Sequence, residues 1–329
     1  MISINSFRGS LFQTDATSFE EKAIWLFRHQ AGSNAIYRAY IGHLGIDPEQ
    51  IDCLEDIPFL PVGFFRDHRV VSDRFVEEAV FESSTTMGQM PSRHYVRNLH
   101  WYYTVAEECF TRVYGPPKGR CFLGLLPSYL ERPNASLVYM VRHLIRAGGH
   151  SDSGFFLDDY ETLGRRLHQL MNDGEQAILF GVTFALLDFA SYFREELKGI
   201  AVIETGGMKG RWREMTREEV HAGLREVWGP VRIHSEYGMT EMMSQAYAGD
   251  QDIFYPPPWV RVMVRDIRDP FHFCESGRQG ALNVIDLANI DTCAFLETQD
   301  VGMAFDEGGF AVQGRVDNSE LRGCSLMLP

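Results

Sequence analysis

The 329-residue chain is 45% hydrophobic and 23% charged, the proportions of a folded globular protein, which exclude a disordered one. Its formal net charge of −14 argues against non-specific binding to nucleic acid or to an anionic membrane surface. Met1 to Gln13 reads as no signal peptide, and the longest apolar stretch, Ala177 to Ala190, is too short to cross a bilayer and contains Asp188.

Residues 1–80 read as a mostly helical region. Thr17 and Glu20 have capping-box spacing ahead of the periodic run Phe19, Ala23, Leu26 and Phe27, and Pro58 to Pro61 end the region in extended chain. From Arg120 to Ser235 strands alternate with helices. Strands are predicted at 120–126, 177–181, 200–204 and 231–235. Helices are predicted from Asn134, as N-cap, to about Ala147 before Gly148-Gly149, then over 158–172 and 183–197. A further helix is boxed by Thr216 and Glu219 and stops at Gly229. That alternation implies a mainly parallel sheet flanked by helices, and such sheets gather ligands beyond the C-terminal ends of their strands. After Pro256-Pro257-Pro258 the segments 260–267, 280–287, 295–300 and 309–316 read as strands. The expected organisation is an α/β core over 81–255 and a smaller β-rich subdomain over 256–329.

Four groups of residues carry chemistry. Ser83, Ser84, Thr85 and Thr86, followed by Gly88, offer hydroxyl and backbone donors that suit a phosphate chain, with Arg93 and His94 beyond them; the same run also suits a polar surface loop. Glu204, Thr205, Gly206 and Gly207 follow a strand directly. A Gly pair there lets the backbone approach a flat ligand, with Lys209 and Arg211 placed to face phosphates, or simply makes a tight turn. In the third group, His234 to Glu241, Tyr237 and Gly238 precede Thr240 and Glu241. Tyr237 can stack on a purine, and Thr240 and Glu241 can hold a phosphate oxygen and magnesium, which prefers oxygen ligands; a turn with a buried tyrosine is the other reading. Asp300 can accept the hydroxyls of a ribose with Arg315 to brace it, although turns also favour Asp and Gly. His94 and His234 read equally as bases or phosphate contacts and as hydrogen-bonded structural histidines. The six cysteines form no CxxC and no zinc-spaced cluster, which predicts a reduced, cytoplasmic protein without disulfides.

In that order these groups resemble the large N-terminal domain of the adenylate-forming enzymes. More closely, SSTTMGQMPSRHYV, LLPSYLERPNASLVYMV, GVTFALLDFA, ETGGMKGR, HSEYGMTEMMSQAY, PPWVRVMVRDIRDPF, GALNVIDLANIDTCAF and GRVDNSELRGCSL resemble the long-chain fatty-acid–protein ligases, the LuxE-type acyl-protein synthetases. The likeness runs from about Phe81 to the C-terminus. It implies ATP and Mg2+ as cofactors and a fatty acid activated as its adenylate. Ser83 to Gly88 would form the phosphate loop, Glu204 to Gly207 would lie along the adenine, and Tyr237 would stack on it. Thr240 would touch phosphate, Glu241 would hold Mg2+, Asp300 would take the ribose and Arg315 would brace the nucleotide. Cys324 would accept the acyl group and hand it to a partner such as a reductase or carrier protein. Two departures stand out. Thr85 and Met87 replace the Gly and Thr of the usual Ser-Ser-Gly-Thr-Thr-Gly loop, and the chain has no room for a lid domain after Cys324, which leaves Lys209 as the catalytic cation expected. Coenzyme A or a carrier-protein thiol as the acceptor, and a non-catalytic scaffold derived from such an enzyme, are the competing readings.

Overall fold

The computed structural model describes residues 3–84, 90–127, 134–206, 215–249 and 252–315. The chain divides into two compact units. One comprises Met1–Leu99, Thr240–Ser244 and Tyr255–Pro329, the other His100–Met239 and Gln245–Phe254.

The second unit is the α/β part. Its parallel strands run in the spatial order Gly154–Phe155, Cys121–Leu125, Ala177–Gly181, Ile200–Glu204 and Arg232–Tyr237, and Ala246–Ala248 adds antiparallel to the last. Cys121–Leu125 and Ala177–Gly181 are buried at every residue, as strands covered on both faces must be. The helices are Leu99–Tyr114, Ser136–Gly148, Tyr160–Asp173, Thr183–Tyr192 and Arg217–Trp228. The Thr216–Glu219 capping box is present in full. Asn134, by contrast, is not the cap of the next helix. The N-cap position falls on Ala135, whose side chain has no acceptor, and left-handed Gly149 closes that helix. The helix Leu99–Tyr114 lies where no element was expected. It buries Trp101, Tyr102, Val105, Ala106, Cys109 and Phe110, a stripe of helical period, and Glu108 pairs with Arg112 one turn on at 3.1 Å.

The first unit joins both ends of the sequence. Antiparallel strands Val260–Arg265, Gly280–Asp286, Phe295–Ala304 and Phe310–Arg315 form its sheet, with Leu60–Pro61 parallel to the third. Helices Ile4–Ser10, Phe19–Ser33 and Ala35–His43 carry Phe27 and Tyr37 onto Phe295, with ring centroids 5.9 and 6.1 Å away. Gln30 is fully buried and fully used: its Nε2 donates to the carbonyls of Asn289 and Ile290, and its Oε1 accepts from the Ala294 amide. The Thr17–Glu20 box is absent, because Asp15 takes its donors: its carboxylate accepts from the amides and hydroxyls of Thr17 and Ser18 and is held at about 2, chiefly by the Ser18 hydroxyl. No helix among the described residues is long and apolar enough to cross a membrane. Cys53, Cys109, Cys121, Cys274 and Cys293 are free thiols.

Candidate functional site

In the second unit the site begins where parallel strands end. Glu204 closes its strand with a side chain 4% exposed. The carboxylate accepts from the Gly206 amide at 2.7 Å, from the Ser235 hydroxyl at 3.3 Å and from the Thr183 hydroxyl. His221 Nε2 lies 3.2 Å from Ser235 Oγ. Main-chain bonds complete the turn, with Thr205 N donating to Gly181 O and Thr183 N to Gly206 O. Glu204 is thus spent on holding the turn, and Gly206 sits in it at φ +71°, a conformation that costs a side-chain-bearing residue energy. Thr205 is the group left over: its hydroxyl is buried without a hydrogen-bond partner among the described residues.

Tyr237 ends the neighbouring strand. It is mostly buried, with its ring 5.7 Å from Phe254, over which the Arg217 guanidinium sits at 4.7 Å. His234 is engaged with Tyr114, whose hydroxyl lies 2.8 Å from Nδ1. Gly238 is exposed.

In the first unit the strands Ala79–Glu82 and Arg93–Val96 form a hairpin, and the hydroxyl-rich loop joins them. Ser83 fastens the loop base: its amide donates to Ser92 O, and its hydroxyl accepts from the Ser92 amide at 2.9 Å. Ser84 is exposed. Glu241 is 5% exposed. Burial holds its carboxyl above the ordinary range; the Ser92 hydroxyl and Arg315 work against that, and Asp300 adds to it. Asp300 and Arg315 stand opposite each other on adjacent strands, with Nε 3.0 Å from Oδ1. The structure therefore brings Ser83, Glu241, Asp300 and Arg315 into one unit, and Glu204, Thr205, Gly206, Tyr237 and Gly238 into the other. Thr85, Thr86, Gly88, Gly207, Lys209 and Cys324 lie outside the described residues.

A clamp around Thr240–Ser244 was missed in the sequence. His94 Nδ1 donates to the Thr240 carbonyl at 2.7 Å, and its Nε2 is 3.1 Å from the Thr292 hydroxyl. Burial pushes the imidazole down to about 4, so it is neutral and structural, neither a base nor a phosphate contact. Asn289 Nδ2 donates to the Glu241 carbonyl at 2.8 Å. Asp286, with no exposed surface, accepts from the amides of Met243, Ser244 and Ala288 and from the Ser244 hydroxyl. No spacing in the sequence marks the clamp: Asp286, Asn289 and Thr292 recur every third residue, but Asp291 interrupts the series, and the partners of Asp286 and Asn289 in Thr240–Ser244 lie 42 to 48 residues away.

Each unit by itself offers donors of a kind that a magnesium nucleotide uses. Glu241 offers the oxygen ligand that magnesium takes, and a carboxylate lifted by burial gains from a divalent cation. Thr205 supplies an unused hydroxyl at a strand's C-terminal end.

No protein-family model matches the chain, and a search of curated proteins gives no match. Solved structures do match. One is 2-hydroxyisobutyryl-CoA ligase in complex with 2-HIB-AMP and CoA, at 13% identity and TM-score 0.68 over 94% of this chain and 71% of the ligase. A second is ATP-bound MatB from Rhodopseudomonas palustris, at 17% identity and TM-score 0.54 over 74% of this chain and 49% of MatB. A third is the o-succinylbenzoate CoA synthetase MenE from Bacillus subtilis, at 16% identity and TM-score 0.50 over 73% of this chain and 49% of MenE. This chain thus spans about half the length of MatB and MenE. At such identities the likeness is one of fold: the chain has the α/β architecture of adenylate-forming CoA ligases, with a β-rich C-terminal part.

Proposed function

We propose that the chain activates a carboxylic acid with ATP and passes the acyl group to the thiol of Cys324. The observation that carries the reading is the turn after Ile200–Glu204, where an unused buried Thr205 hydroxyl stands beside left-handed Gly206 in a backbone that Glu204 locks. Such a turn can present the Thr205 hydroxyl to a ligand without spending it on the protein. The ligase fold supports the same reading.

The acid's carboxylate oxygen attacks the α-phosphorus of ATP, a P–O bond forms, and the bond to the β-phosphate breaks with its electrons leaving on pyrophosphate. Both reactants are anions, so their approach costs several kcal/mol at a protein-like dielectric unless cations intervene. Glu241 would hold magnesium, which supplies charge neutralisation when bound. Lys209 is the cation proposed for the phosphates. Thr240 and Ser83 donate to phosphate oxygens, Tyr237 stacks on the adenine, and Asp300 accepts from the ribose hydroxyls while Arg315 fixes its carboxylate. The Cys324 thiolate then attacks the acyl carbon, a C–S bond forms, and AMP leaves with the electrons of the broken C–O bond. The thioester passes to a partner protein, a reductase or a carrier.

Acid-dependent exchange of labelled pyrophosphate into ATP tests the first step. Exchange that needs both acid and magnesium is expected; none with any fatty, aromatic or small acid, together with no ATP binding at about millimolar concentration, sinks the proposal. Cys324→Ala tests the second step: exchange should persist while labelled acyl group no longer remains on the protein. Labelled protein in that variant, or transfer to coenzyme A at an unchanged rate, assigns the acceptor elsewhere.

A further inference from the structure

One face of the second unit's sheet carries polar groups that acid activation as such does not use. Side chains alternate along Arg232–Tyr237, so Ser235 and Tyr237 turn to one face and His234 and Glu236 to the other. Glu236 stands directly opposite Tyr247 on the adjacent antiparallel strand, which puts both side chains on the same face within contact range. Tyr247 is 3% exposed, and its hydroxyl has no hydrogen-bond partner among the described residues. Glu236 likewise makes no hydrogen bond or ion pair among the described residues. Its Oε1 lies 2.6 Å from the point where a Cβ on Gly238 would stand.

Aromatic rings surround this pair. Tyr114 meets Tyr247 edge-on at 5.3 Å and stacks on His234 at 5.4 Å. Burial, with the Glu204 carboxylate adding to it, pushes the Glu236 carboxyl up to about 8. Burial and then Glu236 raise the phenols of Tyr102, Tyr114 and Tyr247 in turn. The buried Tyr247 hydroxyl, without a partner among the described residues, gains from a ligand that carries the complementary group.

We infer that Glu236 and the Tyr247 hydroxyl bind a hydrogen-bond-donating group, a hydroxyl or a protonated amine, at the non-reacting end of the acid substrate. Glu236 and Tyr237 are successive residues of one strand, one aimed at each face. A ligand bound by both therefore passes the strand's C-terminal end, with its carboxylate on the nucleotide side and its tail among the tyrosines. The inference rests on acid activation as proposed above and narrows the acid from a plain saturated chain to a polar-tailed one. A site built to pair with a substrate donor rejects the analogue that lacks it far more strongly than an apolar pocket rejects an extra methylene.

The test is calorimetric binding, to the full chain without ATP, of matched trios such as hexanoate, ω-hydroxyhexanoate and ω-aminohexanoate, repeated from butanoate to octanoate backbones. At the length that fits, one donor-bearing acid should bind at least about tenfold tighter than its plain counterpart. Tyr247→Phe, which keeps the ring, should cut that preference several-fold, and Glu236→Leu should invert it. The trio separates the two donors. An amine discharges a proton from Glu236, so its binding heat depends on the buffer's ionisation enthalpy, and a hydroxyl leaves it unchanged. If no donor-bearing acid outbinds its plain counterpart at any length, or if the preference survives unchanged in both variants, the inference is overturned. Pyrophosphate exchange on the same acids keeps the two ideas apart. Equal exchange with plain and donor-bearing acids overturns this inference alone, and a clear binding preference with no exchange overturns activation alone.

Discussion

Substituting His94 with glutamine isolates a pH dependence that the structure fixes in sign and size. The imidazole is buried, donates to the Thr240 carbonyl and accepts from Thr292, so no room remains for a second ring proton. Its pKa is pushed from the ordinary 6.5 down to about 4, burial being the cause. Below 6.5 the unfolded chain takes up a proton at this position and the folded chain does not. Stability therefore falls with pH through that window, and the loss is complete once the folded pKa is passed near 4. At about 1.4 kcal/mol per pH unit the window amounts to about 3 kcal/mol. Glutamine keeps a donor and an acceptor but has nothing to titrate. Urea unfolding of both proteins from about pH 7 to about pH 4 gives the comparison. The wild type should lose about 3 kcal/mol more than His94→Gln across it, and the carboxylates common to both cancel. Parallel stability curves, or an NMR titration placing His94 near 6.5, would refute the reasoning.

Three further outcomes follow from the same geometry. Asp286→Ala strands the amides of Met243, Ser244 and Ala288 in a fully buried site, so thermal unfolding should show a loss of about 3–5 kcal/mol, and Asp286→Asn less than half of it. Glu204→Gln removes an anion beside Glu236, so carboxyl NMR should find the Glu236 titration midpoint below its present value of about 8; an unmoved midpoint contradicts the coupling. Gly302→Ala would place a Cβ 1.9 Å from the Ala311 carbonyl oxygen, which the sheet relieves only by moving backbone, at a cost of about 3 kcal/mol by chemical denaturation.

Local signals in the sequence found local structure. The strands at 177–181 and 200–204 are observed with the expected bounds, because buried apolar runs between a helix end and a turn have few other solutions. The Thr216–Glu219 box is observed because its partners are three residues apart. Thr17 and Asn134 show the limit: each has the chemistry of a cap, and competitors one or two positions away decide whether it serves as one. The clamp on Thr240–Ser244 was illegible for a different reason. His94 meets Thr240 across 146 residues of sequence, and Gln30 meets Ala294 across 264, separations at which no spacing rule operates. In the candidate site, Asp300 and Arg315 were legible as a pair, whereas the inward commitment of Glu204 was not, since a carboxylate beside a Gly pair reads the same whether it faces ligand or core.

The pairing of Asp300 with Arg315 depends on an irregularity in the ladder between their strands. Gly302 stands opposite Val312 and Val301 opposite Gly314, so Gln313 is an extra residue looped into one strand. In an even ladder counted from Gly302, Gly314 would fall across from Asp300 and the guanidinium one step further on. A single surplus peptide unit thus decides whether this carboxylate meets a cation or a bare backbone. Any change that irons out the kink would part Asp300 from Arg315 while leaving both residues in the sequence.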